Sequence, residues 1–156
     1  MITALTHADL VQAAADWLRR GAKVPAVCGM PERGSRTVKC PVVITDMSSA
    51  AGETPDAIGW TSWTSILVEA KASRADFLRD HRKVYRRVPE MGMGEHRYYI
   101  APAGMIKPDE LPEPWGLVEA HGTRLRTKVL AQRQEARRDR EIVLLLSALR
   151  RLPAQI

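Results

Sequence analysis

A chain of 156 residues, 45% hydrophobic and 27% charged, can build one domain with its own core and is short for two. Lysine and arginine outnumber aspartate and glutamate by 24 to 18, and the net charge of +6 favours a polyanionic partner, nucleic acid first. No apolar run approaches the roughly 18 residues of a membrane span, the N-terminus lacks a charged-then-apolar signal, and Cys28 and Cys40 are too far apart for a zinc-binding Cys-x-x-Cys pair; a cytoplasmic setting without membrane contact is expected.

Thr6 and Asp9 form a capping box, and Leu10, Ala13, Ala14, Trp17 and Leu18 follow at helical spacing, which predicts a helix over 7–20 closed by Gly21. Lys23 to Cys28 reads as a short strand, broken by Gly29, Pro31 and Gly34, and a second strand spans 38–45 around Val42, Val43 and Ile44. Small polar residues over 48–54 form a loop that delivers the chain into Pro55-Asp56. Residues 56–60 and 65–71 read as a hairpin or two adjacent strands joined by Thr61-Ser62-Trp63-Thr64. Ser73 and Asp76 start a helix that runs towards Val88, where Pro89 and Gly92-Met93-Gly94 end it. Arg97 to Ala101 is a strand stopped by Pro102, and turn chemistry fills 104–116. Leu117 to Ala120 is a further strand that turns at His121-Gly122. A long helix over about 132–152 carries Ile142, Leu145, Leu146, Leu149 and Leu152 along one side. With no internal repeat and no linker, residues 1–156 are expected to form one α/β domain, a central mixed sheet flanked by helices.

The chemistry gathers where Ile66, Leu67 and Val68 lead into Glu69-Ala70-Lys71. Side chains at i and i+2 of a strand share a face, so Glu69 and Lys71 project together, and Asp56 on the neighbouring strand can join them. Mg²⁺ or Mn²⁺ takes oxygen ligands, one or two carboxylates with waters and a substrate phosphate. Asp56, Glu69 and the backbone carbonyl of Ala70 supply such a set. Lys71 can orient or deprotonate a metal-bound water and offset charge on a phosphate. The competing reading is a Glu69–Lys71 salt bridge on a solvated strand.

Pro55-Asp56 followed by Glu69-Ala70-Lys71 resembles the PD-(D/E)xK signature of the restriction-endonuclease-like nuclease superfamily. The longer run Val68-Glu69-Ala70-Lys71-Ala72-Ser73-Arg74-Ala75-Asp76-Phe77-Leu78, together with 53–60, Arg97-Tyr98-Tyr99 and 111–117, is similar to small phage, prophage and DNA-repair-associated proteins of that type. The likeness covers residues 7–121. It implies a restriction-endonuclease-like core and a metal-dependent deoxyribonuclease, with Asp56 and Glu69 as ligands and Lys71 as catalytic lysine. Many members carry an additional acid on the first helix. Asp9 and Asp16 are the candidates here, and Glu53 is the alternative.

DNA is the expected partner, contacted by Arg74, Arg79, Arg82, Lys83 and Arg86 on the helix after the motif, four of them on one face by i, i+3 and i+4 spacing. Arg133, Arg137, Arg138 and Arg140 form a second, solvated basic cluster. Trp60, Trp63 and Trp115 read as packing or turn anchors rather than base-stacking groups, and His81 and His96 have no assigned role. A homodimer is a further expectation, since small nucleases often pair to cut two strands. The alternative function is a catalytically silent DNA- or protein-binding module on the same fold.

Overall fold

Residues 4–28 and 30–153 are described by the structure, a computed structural model. Helix α1 (His7–Arg20) opens on its capping box: Thr6 Oγ1 accepts from the Asp9 N–H at 3.1 Å, and the Asp9 carboxylate accepts from the Thr6 N–H at 2.8 Å. Its buried stripe holds Leu10, Val11, Ala14, Trp17 and Leu18. A two-stranded antiparallel ribbon follows, β1 (Ala22–Val27) with β2 (Met30–Val38). β2 continues through Pro31 and Gly34, where the sequence predicts a break. The register shifts between Pro25 and Val27, and Gly34 takes φ +87°, which a side chain would oppose. Gly29 lies outside the described residues. The single strand expected over 38–45 is two strands, because Cys40 turns aside to donate its N–H to the Leu18 carbonyl at 2.8 Å. β3 (Val42–Thr45) starts beyond Pro41.

The main sheet has six strands in the order β3, β4 (Ala57–Trp60), β5 (Ser65–Ala70), β6 (His96–Pro102), β7 (Gly116–His121) and β8 (Arg124–Val129). The pairs β3–β4, β4–β5 and β7–β8 are antiparallel, whereas β5–β6 and β6–β7 are parallel, so the sheet is mixed as expected. α1 covers one face over Ile66, Val68, Tyr98 and Ile100. The other face packs Leu67, Tyr99, Trp115 and Leu117 against Phe77 of α2 (Arg74–Asp80) and Leu144 of α4 (Arg138–Arg150). No helix among the described residues is long and apolar enough to cross a membrane.

Three departures from the sequence reading have local causes. β8 is an unexpected edge strand, in which Arg124, Arg126 and Lys128 alternate with half-buried Leu125, Thr127 and Val129. α4 begins later than expected, because the backbone before it pairs outward: Gln132 donates to Pro114, Gln134 to Glu95 and Arg137 to Gly92. The single helix expected from Ser73 to Val88 is broken into α2 and a short α3 (Val84–Arg87), with Lys83 extended at φ −62° and ψ 140°. Residues six apart on one helix point about 120° away from each other. The break lets both Lys83 and Arg86 return to Asp80, at 3.1 and 2.6 Å.

His96 is buried at the start of β6, with its Nδ1 3.0 Å from Thr64 Oγ1. Burial pushes the imidazole down from 6.5 to about 4, so the folded chain holds it neutral where the unfolded chain takes up a proton. The stability it contributes is present above pH 6.5 and is lost as pH falls from 6.5 towards 4. Denaturant titrations across that window should show a wild-type loss larger than that of His96→Asn by on the order of 2–3 kcal/mol. Parallel pH profiles for the two proteins would refute this.

Candidate active site

The open end of the β4–β5 pair holds the motif. Ile66, Leu67 and Val68 are fully buried, which fixes β5 in the sheet, and Ala57 pairs with Val68, so Asp56 and Glu69 meet at the next rung. The Asp56 carboxylate accepts the Ala70 N–H at 2.7 Å. In an extended residue the carbonyl points to the same strand edge as the N–H, so the Ala70 carbonyl also faces the β4 side. The Asp56 carboxyl is pushed up to about 6, first by burial and then by the Glu69 charge, against the Ala70 N–H, His7 and Lys71.

Glu69 is 2% exposed and faces three cations: Lys71 at 3.7 Å, Lys83 at 3.3 Å and Arg86 at 3.6 Å. Beside it lies Asp80, which the sequence reading missed. Lys71 reaches Asp80 at 2.9 Å, Arg86 at 2.6 Å, and the Tyr99 hydroxyl donates to it at 2.5 Å. Burial works to raise the Asp80 carboxyl, but Arg86, the Tyr99 hydroxyl and Lys71 outweigh it and hold the group well below the usual carboxylate range. Phe77 and Asp80, at i and i+3, share the buried face of α2. An acid on the apolar side of a short helix is the signal that could have revealed it.

His7 and Asp46 were also missed. His7 Nε2 lies 3.5 Å from Asp56 Oδ1, the Asp46 N–H donates to the Asp56 carbonyl at 3.1 Å, and ligand atoms of all three side chains lie within 4.8 Å of one another. Only tertiary contact joins them, so no spacing rule exposes the group. Of the other acids, Asp9 serves as a helix cap and Asp16 is held by the Gln12 amide at 3.3 Å; neither is joined to Asp56. Glu53 is buried and accepts the Met93 N–H at 2.8 Å. Its carboxyl is raised by burial and, more weakly, by Glu69, against the Met93 N–H.

Two openings flank this group. One, of about 300 Å³, is lined by His7, Asp56, Lys71, Asp80 and Lys83. The other, of about 480 Å³, is lined by Glu53, Glu69, Lys83, Tyr85 and Arg86. Asp56 lines the first and Glu69 the second, and Lys83 lines both.

The expected basic stripe is not continuous. Arg74 makes a two-pronged pair with Glu110, each contact 2.7 Å, and Arg79 pairs with Asp76. Arg82 is exposed and makes no ion pair among the described residues, and the Lys83 side chain is 47% exposed. Arg86 is corrected to an interior residue: its side chain is 3% exposed and its guanidinium lies 4.3 Å over the Trp115 ring. The helix break turns it inward, away from any DNA backbone.

No protein-family model and no curated protein matches the chain. Among solved structures it is similar to a protein of unknown function from Silicibacter pomeroyi, with 23% identity and a TM-score of 0.53, over 70% of this chain and 75% of that one. The likeness concerns the α/β fold alone.

Removing the Asp80 carboxylate takes away the closest partner of both Lys71 and Arg86 and leaves the two buried cations, with Lys83, sharing Glu69 alone at 3.3–3.7 Å. Asp80→Ala should therefore cost about 3–5 kcal/mol in unfolding free energy. An unchanged denaturation midpoint would refute a structural role for these ion pairs.

Proposed function

We propose that the protein is a metal-dependent nuclease of the restriction-endonuclease-like type, hydrolysing DNA phosphodiester bonds with Mg²⁺ or Mn²⁺. The observation that carries this reading is the junction of Asp56, Glu69 and Lys71 around one peptide: Asp56 bound to the Ala70 N–H at 2.7 Å, and Lys71 3.7 Å from Glu69. The donors suit a hard cation: carboxylates of Asp56 and Glu69 and the Ala70 carbonyl, with His7 and Asp46 close enough to Asp56 to add to the set. Glu53 is the weaker candidate, since it lies outside the group that His7 and Asp46 form with Asp56. A bound cation would supply Lewis acidity towards a phosphate and a more acidic water.

The chain's own residues have separable tasks in this reading. Asp80 holds the Lys71 ammonium at 2.9 Å, which leaves further N–H donors for a phosphate oxygen. Lys83, half exposed beside both openings, is placed to meet a phosphate, and Arg82 adds backbone attraction. A cytoplasmic role in phage or bacterial DNA repair, recombination or restriction goes with this chemistry.

A second reading, a silent DNA- or protein-binding module, is favoured by one specific feature. Glu69 is almost fully buried and already faced by Lys71, Lys83 and Arg86, a set of cations that competes with a metal.

Linear, nicked, branched and single-stranded DNA should be incubated with wild type, Asp56→Asn and Lys71→Ala in Mg²⁺ or Mn²⁺. Cleavage by wild type that falls at least about 100-fold in each variant is expected. Equal cleavage by all three would mark a contaminant, and DNA binding without cleavage in either metal would decide for the module.

A further inference from the structure

Helix α4 is apolar on its solvent side as well as on the side that packs on the sheet. Of its side chains only Glu141 and Leu144 are buried, whereas Ile142, Leu146 and Leu149 are 55%, 45% and 60% exposed, with Val143 exposed beside them. Positions 142, 143, 146 and 149 follow the spacing of a single helix face. Leu144 lies on the opposite side and packs on the sheet, and half-buried Leu145 flanks the exposed face where it meets the core. The sequence places Ile142, Leu145, Leu146, Leu149 and Leu152 along one side of this helix, and the fold leaves all of them but Leu145 largely in water. A contiguous apolar face rimmed by charge is the mark of an interaction surface.

We infer that α4 is the seam of a homodimer, in which two copies of the chain pack their α4 helices antiparallel. The charges at the ends of the face select a second copy. Asp139 stands at the N-terminal end of the stripe and Arg150 at the C-terminal end, on the same face by helical spacing. A two-fold axis that sets Asp139 of one copy against Arg150 of the other also sets Val143 opposite Leu146, and repeats both contacts by symmetry. Arg150 makes no ion pair among the described residues, and the ion pair of Asp139 among them is with the neighbouring Arg137, at 2.6 and 2.8 Å. The carboxylate keeps lone pairs free for a second guanidinium. Antiparallel helices also bring each positive N-terminus beside a negative C-terminus. A seam built on one helix of 13 residues belongs to the small class of specific interfaces, below about 1,200 Å² in total, so pairing is expected at micromolar rather than nanomolar concentration.

Sedimentation velocity of the full chain over a concentration series tests this without reference to cleavage, so the outcome is independent of the metal site. A monomer–dimer transition in the micromolar range is expected, with Leu146→Glu monomeric throughout and unchanged in far-UV circular dichroism. Asp139→Arg and Arg150→Asp should each weaken the dimer about tenfold, and the double reversal should restore it. A wild-type chain that stays monomeric overturns the proposal, as does a dimer indifferent to Leu146→Glu. Flotation with phosphatidylserine vesicles that is lost in Leu146→Glu, from a chain that stays monomeric, would assign the face to a lipid surface and equally overturn it.

Discussion

Two carboxylates buried at one end of a sheet impose the main constraint on this molecule. Taking Glu69 and Asp80 out of water is costly, and only close cations offset that cost. Lys71, Lys83 and Arg86 supply them, and each reaches Asp80 within 3.1 Å. Satisfying that demand dictates the path of the chain between β5 and β6. A continuous helix cannot return both Lys83 and Arg86 to Asp80, so the segment breaks into α2 and α3. Arg86 then lies on Trp115, which stacks on Tyr99 at 4.4 Å, and Tyr99 closes the ring by bonding Asp80. Charge neutralisation and aromatic packing are therefore one structure.

The same arrangement divides the labour at the strand ends. Asp56 sits beyond the cations, tied to a backbone N–H rather than to a lysine or arginine, with the His7 imidazole 3.5 Å away. Glu69 sits among them. One acid is held by a dipole and the other by full charges, and the two differ accordingly in how readily they can exchange a protein partner for another cation. The unequal setting of the pair is the feature on which the two functional readings divide.

Much of this was legible in the sequence where a rule of local structure applied. The capping box at Thr6 and Asp9 located α1 to the residue, and the β-branched run before Glu69 located β5 and the shared face of Glu69 and Lys71. Reading failed where a side chain's partner lies far along the chain. Asp80, His7 and Asp46 enter the site only through folding. Arg86 looked like a surface cation because helical spacing was extended through a segment whose buried charges interrupt it. β8 escaped notice because its outward side chains are arginines and lysines, which depress any hydropathy signal although the alternation with Leu125, Thr127 and Val129 is that of a half-buried strand. The length of α4 was overread for a related reason: residues 132–137 satisfy their backbone by pairing with distant segments, which no periodicity records.

β8 has a consequence for how copies of the chain can meet. An edge strand offers unpaired N–H and C=O groups to any neighbouring strand, and such edges seed open-ended sheet growth. Here Arg124, Arg126 and Lys128 line that edge, and a second β8 brought alongside would stack like charges against each other. The opposite edge, β3, has only 4 residues to offer. Both ends of the sheet are thus poor templates, one by repulsion and one by brevity, and association through strands is discouraged from running on into fibres.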